Sequence, residues 1–325
     1  MTELTGMTPQ ELSDWCKAQG MPAFRGKQIF RWIHQGADFD AMTNLPAAMR
    51  AQLKEIAVAQ PVSIIDERKS QIDDTVKFLF GLKDGNCVEG VLMHYHHGYT
   101  LCISTQVGCR MGCKFCASTL AGKVRDLRPS EMLDQVLFTQ LDSGREISNI
   151  VLMGIGEPLD NFDEVMRFLE NIISPEGVNI GMRNISLSTC GLVPKIDMLA
   201  EKKLQLTLSV SLHAPNNQIR SSMMPVNDAY PVEQLIQTVR RYQDITGRRV
   251  SFEYSMVRGV NDSDACAKQL ADLIRGMGAH VNLIPINPVD GSPYSATDAA
   301  NVRRFQQKLE SLGVNATVRR RLGSE

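Results

Sequence analysis

The chain of 325 residues has almost no net charge: 35 Lys and Arg stand against 36 Asp and Glu, a formal −1. No global field draws in nucleic acid, so any RNA or DNA site must come from a local patch. No apolar run reaches 18 residues, which excludes a membrane-spanning helix. The start, MTELTGMTPQELSDW, lacks a basic stretch followed by an apolar one and does not read as a secretory leader. Eight cysteines, three of them within eight residues, do not make a disulfide scaffold. They suit a reducing cytoplasm in which thiols do chemistry. There is no internal repeat, no low-complexity linker and no dinucleotide-binding glycine fingerprint. What remains is ordinary: 43% apolar and 22% charged residues, enough chain for one large domain or two.

Residues 8–58 read as helices. Thr8 and Glu11 fit a capping box with Pro9 at the first helical position, and Phe24, Ile29, Phe30, Trp32 and Ile33 mark helical faces. Strands are expected over 61–66, 76–82, 88–94 and 100–105, with a hairpin turn at Asp84-Gly85. From about residue 100 the chain alternates. Strands are predicted over 101–105, 149–153, 184–188, 206–211, 250–257, 281–285 and 316–319. Between them, Val165, Phe168, Leu169 and Ile172 repeat at helical spacing, as do Val232, Leu235, Ile236 and Val239, and Ala267, Leu270, Ala271 and Ile274. Strands joined by single helices mean βαβ units and a parallel sheet. The fold expected is α/β: a partial (β/α)6 barrel over 99–325, preceded by a small helical domain over 1–60 and a short β extension over 61–98.

Cys109, Cys113 and Cys116 stand in GCRMGCKFCAS as C-x3-C-x2-C, just after the first barrel strand. Barrels of this kind place chemistry at the C-terminal ends of their strands. A structural zinc site wants four ligands, usually from two knuckles, and the second knuckle is missing. Cys102 could be a fourth ligand but lies within a strand. Three cysteines on a four-iron cluster leave one iron open, and C-x3-C-x2-C on a loop after the first barrel strand resembles the radical S-adenosylmethionine (SAM) superfamily. Phe115, before the third cysteine, fits it too. Gly154-Ile155-Gly156-Glu157-Pro158 follows the second strand; its glycines permit close backbone approach and Glu157 can accept from an ammonium group. Ser188, then Ser211-Leu212-His213, then Asn287 fall at or after successive strand ends. Singly each is a cap or a turn; together they suggest ligand contact.

TQVGCRMGCKFCAST, VLMGIGEPLDN, SLHAPN, GRRVSFEY and HVNLIPINP, with FRGKQIFRWIHQG and MTNLP near the start, resemble the RlmN/Cfr-type radical-SAM RNA methyltransferases over nearly the whole chain. The resemblance implies methylation of an unactivated adenine ring carbon: C2 of an adenine in 23S rRNA (adenine-2503 type), with adenine 37 of tRNA as a second target. Ring C2 is electrophilic, so polar methyl transfer fails there and a carbon radical is needed, which the cofactor supplies. The family's scheme uses two SAM molecules. One methylates a cysteine; the other generates the adenosyl radical that activates that methyl group, and a second cysteine releases the product by forming a disulfide.

By the same resemblance Cys109, Cys113 and Cys116 hold a [4Fe-4S] cluster, while Gly156, Glu157, Ser188, Ser211, Leu212, His213 and Asn287 contact SAM. Cys102 matches the resolving thiol and Glu89 the proton acceptor. Read without the family, Cys102 is a buried strand thiol and Glu89 a strand glutamate facing solvent. The implied partners are 23S rRNA, tRNA and an electron donor such as flavodoxin or ferredoxin, for a cytoplasmic monomer with no membrane association.

The family carries its methylated cysteine in an Ala-Cys-Gly-Gln-Leu segment after the last strand, about five residues beyond Gly323-Ser324-Glu325. Cys190, beside the Ser188 segment, and Cys266, at the start of a surface helix, do not match it. The chain as given is therefore expected to bind cluster and SAM but not to complete methyl transfer by that route, as a truncated or inactive form. For RNA contact the candidates are Arg25, Lys27 and Arg31, Arg248-Arg249, and Arg319-Arg320-Arg321, around an open mouth that admits an unstacked adenine. Three other readings are open: Cfr-type C8 methylation giving antibiotic resistance, a zinc-stabilised RNA-binding protein without catalysis, and a different radical-SAM enzyme such as a maturase.

Overall fold

The computed structural model describes residues 1–287 and 293–320. The first elements are β1 (Thr2–Glu3), α1 (Pro9–Ala18), α2 (Phe24–Ile33), α3 (Ala47–Ile56) and β2 (Ala57–Val58), which pairs parallel with β1. α1 starts as predicted: the Thr8 hydroxyl accepts from the Glu11 N–H, the Glu11 carboxylate accepts from the Thr8 N–H, and Pro9 leads. Leu12, Cys16, Ile29, Phe30, Ile33 and Leu53 close a small core of their own. Phe24, expected on the helical face, is exposed and carries the Arg25 guanidinium over its ring.

β3 (Val62–Lys69), β4 (Val76–Leu82) and β5 (Cys87–Tyr95) run as an antiparallel meander into β6 (Gly98–Cys102). The Asp84-Gly85 turn forms where expected, with Gly85 at φ +84. A separate hairpin, β7 (Gln106–Gly108) with β8 (Lys123–Asp126), was not anticipated. The alternation then runs α4 (Pro129–Ser143), β9 (Ile147–Leu152), α5 (Phe162–Ile172), β10 (Ile185–Thr189), α6 (Val193–Glu201) and β11 (Thr207–Ser211). It continues through α7 (Asn217–Met223), α8 (Val226–Ala229), α9 (Val232–Thr246), β12 (Val250–Met256), α10 (Asp264–Leu273), β13 (His280–Pro285), α11 (Ala299–Ser311) and β14 (Asn315–Val318).

One ten-stranded sheet results, in the order β14-β13-β12-β11-β10-β9-β6-β5-β4-β3. From β6 to β14 every pairing is parallel. The order is open at both ends, so the six expected barrel strands plus a short seventh, β14, curve without closing. The stripes predicted on α5, α9 and α10 are all buried against this sheet, each large aliphatic side chain contributing about 1.5–3 kcal/mol. Cys266 is buried with them, on the inner face of α10 rather than at the surface. β6 stops at Cys102, not Thr105. Ser104 leaves the ladder, its N–H donating to the Gln135 amide oxygen, and the Thr105 N–H donates to the Ile155 carbonyl. Among the described residues no helix is long and apolar enough to cross a membrane. Arg321 of the basic run and Gly323-Ser324-Glu325, with the expectation resting on them, lie outside the described residues.

Candidate active site

The cysteine loop is slung between the two strands of the β7–β8 hairpin. Gly108 sits at φ +72, and a Cβ there would fall 1.9 Å from the Gly122 carbonyl oxygen, so only glycine lets the loop's two ends close. That carbonyl accepts from the Cys109 N–H at 3.0 Å. Within the loop the Cys116 N–H donates to the Cys113 carbonyl, and the Thr119 hydroxyl lies within hydrogen-bond distance of the Cys113 and Cys116 carbonyls. Met111, Cys113 and Phe115 pack on a small apolar cluster that includes Cys190, Met223, Met224, Val257 and Ile286. The backbone ladder thus fixes one end of the loop, and side-chain packing fixes its middle.

The three thiols line one cavity of about 230 Å³ at the C-terminal ends of the parallel strands. Around its wall stand Gly154, Gly156 and Glu157 after β9, Ser188, Thr189 and Cys190 around the end of β10, Ser211 at the end of β11 and His213 just after it, and Glu253 and Ser255 from β12. Burial pushes the Cys113 thiol up to about 12, reinforced by Cys116, Cys109 and Glu157; burial also raises Cys109. Thiols so shielded, facing each other and a carboxylate, become thiolates only beside a strongly positive centre. Among the described residues no group of three or more Cys, His, Asp or Glu side chains is gathered tightly enough to hold one metal ion. The cysteines instead surround a shared space, and a donor set of three sulfurs around a cavity fits a multinuclear iron–sulfur centre with an open position.

Glu157 is buried, and burial raises its pKa. One carboxylate oxygen accepts from the Leu159 N–H at 3.0 Å and the other from the Cys190 N–H at 2.7 Å. His213 takes the left-handed backbone at φ +56. Its Nδ1 accepts from the Ser255 N–H at 2.9 Å, which leaves the proton on Nε2. Burial first, then the charge of Arg220, holds it near 3, so the ring is neutral at physiological pH. Phe115 packs on it edge-on, ring centroids 5.0 Å apart. The Ser188 and Ser211 hydroxyls are 3.5 Å apart.

Eight of the predicted residues therefore share the cavity: Cys109, Cys113, Cys116, Gly156, Glu157, Ser188, Ser211 and His213. Four do not line it. Leu212 points into the hydrophobic core, and its backbone N–H donates to the Glu253 carbonyl. Asn287 follows β13 and is exposed. Cys102 is buried in β6, its thiol pushed to about 11 by burial. Glu89 lies on β5, where the pairing of Val91 with Cys102 puts it two residues along the face that Cys102 shares. Its carboxylate meets Lys77 Nζ at 2.7 Å and is 44% exposed, so the solvent-facing reading describes its present surroundings.

Sequence reasoning missed Glu253, Ser255 and the role of Arg319. Glu253 had a signal: a carboxylate in the middle of the apolar run VSFEYSM. Arg319 was read as part of a surface basic run. Instead it lines both the first cavity and a second of about 420 Å³ that shares Met153, Glu253 and Arg319 with it. The second is walled by small polar residues on the barrel strands, including Thr100, Asn149, Ser186, Ser209 and Asn282. Of the other basic candidates, Lys27 and Arg31 both pair with Glu176, and Arg25 donates to Gln28 and the Asn44 carbonyl.

Comparison with known proteins adds to this geometry. The family model for the radical SAM superfamily matches residues 103–269, and that for the ribosomal RNA large subunit methyltransferase N-terminal domain matches residues 2–59. A protein of Lachnospira eligens named "Probable dual-specificity RNA methyltransferase RlmN" is 49% identical over all of this chain and 93% of its own length. One of the same name from Thermoanaerobacter sp. strain X514 is 50% identical over all of this chain and 95% of its own. The crystal structure of a radical SAM methyltransferase from Sphaerobacter thermophilus is 44% identical and superposes with a TM-score of 0.95, covering 98% of this chain and 95% of that one.

Proposed function

Because the chain belongs to the RlmN family of radical SAM RNA methyltransferases, we propose that it methylates C2 of an adenine in 23S rRNA, and of adenine 37 in tRNA, using two SAM per methyl. The likeness that runs through the N-terminal helices as well as the barrel carries this reading. The relatives bear the RlmN name, which favours C2 over the C8 reaction and disfavours both the zinc-stabilised binding module and a maturase. A [4Fe-4S] cluster and SAM are the family's cofactors. When bound they supply one-electron chemistry at a carbon that polar methyl transfer cannot reach.

The residues take the following parts. Cys109, Cys113 and Cys116 hold the cluster. Glu157, desolvated and already accepting two backbone N–H bonds, accepts from the SAM ammonium group. Gly154 and Gly156 let the backbone come close. Ser188, Ser211, the Leu212 backbone, neutral His213 and Asn287 orient the rest of the cofactor. Cys102 is the resolving thiol, closing a disulfide with the family's methyl-carrying cysteine, which matches no residue of the chain as given; buried as it is, it attacks as thiolate only after its surroundings rearrange. Glu89 takes the adenine proton, from a face continuous with that of Cys102. The polar second cavity below Glu253 and Arg319 gives the base hydrogen-bonding surroundings once it leaves its stack. An electron donor such as flavodoxin or ferredoxin completes the reaction, in the cytoplasm, for a monomer.

The test uses the complete gene product, reconstituted anaerobically with iron and sulfide and given SAM, reductant and unmodified 23S rRNA or tRNA. Mass spectrometry of the nucleosides should show 2-methyladenosine. 8-Methyladenosine, or an unmodified adenine with a fully loaded cluster, would sink the assignment. Cys109→Ala, Cys113→Ala and Cys116→Ala should each lose the iron.

A further inference from the structure

Arg220, on α7, is the largest fully buried side chain of the described residues and has no exposed surface. Its guanidinium donates to the carbonyls of Cys190 (2.5 Å), Leu212 (3.1 Å) and Ser211 (3.1 Å), and to the Asn227 amide oxygen (3.3 Å). All four acceptors are neutral. Among the described residues no carboxylate stands within ion-pair distance of it. Burial draws its pKa down, to about 10, so it stays charged at neutral pH. A buried charge without a counter-charge is costly, and buried charges are as a rule paired with the opposite sign or with a metal centre.

The missing sign lies next door. Arg220 bonds the carbonyl of Cys190, a residue that lines the same cavity as Cys113 and packs in the same apolar cluster, and Cys113 is one of the three cluster cysteines. Glu157, the buried carboxylate on the other side of the same residue, accepts from the Cys190 N–H while Arg220 donates to the Cys190 carbonyl. Three thiolates on a cluster bring net negative charge into this corner. The three carbonyls Arg220 grips belong to the ends of β10 and β11, the segments that carry Ser188, Ser211 and His213 to the cavity.

We propose that Arg220 is a positioning residue that serves as the buried counter-charge of the iron–sulfur cluster, raising its reduction potential while fixing the two strand ends that receive SAM. This rests on the three-cysteine cluster of the family and not on which adenine is methylated. Removing the positive charge should make the cluster harder to reduce, because the extra electron then enters a less positive field.

The experiment compares midpoint potentials, by anaerobic redox titration with electron paramagnetic resonance, in the reconstituted full-length parent and three variants. Arg220→Met removes charge and hydrogen bonds together. Arg220→Lys keeps the charge. Asn227→Asp sets a carboxylate beside the guanidinium and leaves its three carbonyl bonds in place. At the parent's midpoint, Arg220→Met and Asn227→Asp should each hold about tenfold less reduced relative to oxidised cluster, about 59 mV for one electron, with Arg220→Lys near the parent. Cluster loading should also raise the melting temperature of the parent more than that of Asn227→Asp. If Arg220→Met fails to fold, Asn227→Asp decides alone. An Asn227→Asp protein with the parent's potential and the parent's gain on loading would reduce Arg220 to a strut and overturn the proposal. A parent that takes up no cluster would refute the site itself instead.

Discussion

At the scale of single residues, the arrangement turns on side chains that no cysteine motif announces. Asp160, in the turn after Glu157, holds the cysteine loop from both ends. It accepts from Gln106 Nε2 at 3.0 Å before the loop, from Arg110 just inside it, and from Lys123 Nζ at 2.9 Å where it returns. Its carboxylate is only 7% exposed. Against burial, which pushes it up, the bonds from Arg110, Lys123 and Gln106 hold its pKa at about 2, below the ordinary 3.8. A carboxylate whose pKa is lower folded than unfolded stabilises above the unfolded value and stops doing so as pH falls through the folded one. Asp160→Asn should therefore cost about 1–3 kcal/mol near neutral pH. In the metal-free protein the gap to the parent should close between about pH 4 and pH 2, as read by urea denaturation. After reconstitution the variant should release iron to a chelator faster than the parent does. A gap that stays constant down to pH 2 would mean that Asp160 fills space and does not clamp charge.

At the scale of elements, the cysteine triplet was legible because its spacing along the chain is enough to name it, and Ser188, Ser211 and His213 were placed on one rim because they fall at successive strand ends, while Asn287, read the same way, does not line the cavity. The helical stripes on α5, α9 and α10 were legible because periodicity survives without knowing the partner surface. The β7–β8 hairpin was not. Gln106–Gly108 and Lys123–Asp126 are three and four residues long, too short to show alternation, and they pair only because the loop between them is pinned at Asp160 and Gly122. Arg220 escaped for a related reason, since it is an ordinary helical arginine until the fold seals it. The glycine turn after β9 was read as a place for close ligand approach, and the structure adds a second demand. A Cβ on Gly154 would lie 2.6 Å from the Ile103 carbonyl oxygen, and one on Gly156 would lie 2.7 Å from the Gln106 Cβ at φ +114. The turn is thus pressed against the strand that leads to the cysteines. Gly154→Ala should push the end of β9 away from that strand and cost about 1–3 kcal/mol by overpacking. SAM binding should weaken while the far-ultraviolet spectrum stays unchanged; isothermal titration of the reconstituted variant measures the first. Parent-like affinity with parent-like stability would show that the backbone yields there at no cost.

At the scale of the whole molecule, the N-terminal unit has its own core yet is fastened to the outer helices of the barrel. Glu11 takes two bonds from Arg167, at 2.8 and 2.9 Å; Asn171 Nδ2 donates to the Gly6 carbonyl at 2.8 Å; and Arg31 pairs with Glu176 at 3.1 Å. The seam is wettable at these ion pairs, which are worth little individually. His34 is the buried part. Its ring stacks on Phe30 at 3.9 Å, its Nδ1 accepts from the Val178 N–H at 3.3 Å, and a Cβ on Gly177 would sit 2.2 Å from that nitrogen. Burial lowers its pKa from 6.5 to about 4. The neutral ring can accept the Val178 proton; the charged ring cannot, and burial keeps it from solvent. Because the unfolded chain binds this proton and the folded one does not, the docked state loses stability as pH falls from about 6.5 towards 4, by on the order of 3 kcal/mol if the ring behaves independently. His34→Gln keeps an acceptor and no titration, so over that range its stability relative to the parent should rise. Hydrogen exchange should report the loss first in α1 and α2 of the acidified parent, before the barrel strands open. Simultaneous opening of both regions, or an unchanged gap between parent and variant from pH 7 to pH 4, would mean that the seam is held by its ion pairs and that His34 is a passive filler. The basic residues of the N-terminal unit belong to the same argument. Lys27 and Arg31 are engaged by Glu176, so Glu176→Gln should free both for phosphate and tighten RNA binding about two- to tenfold at low salt, a gain that fades as salt rises. A variant that binds RNA no better than the parent in a low-salt filter assay would place RNA contact away from this face.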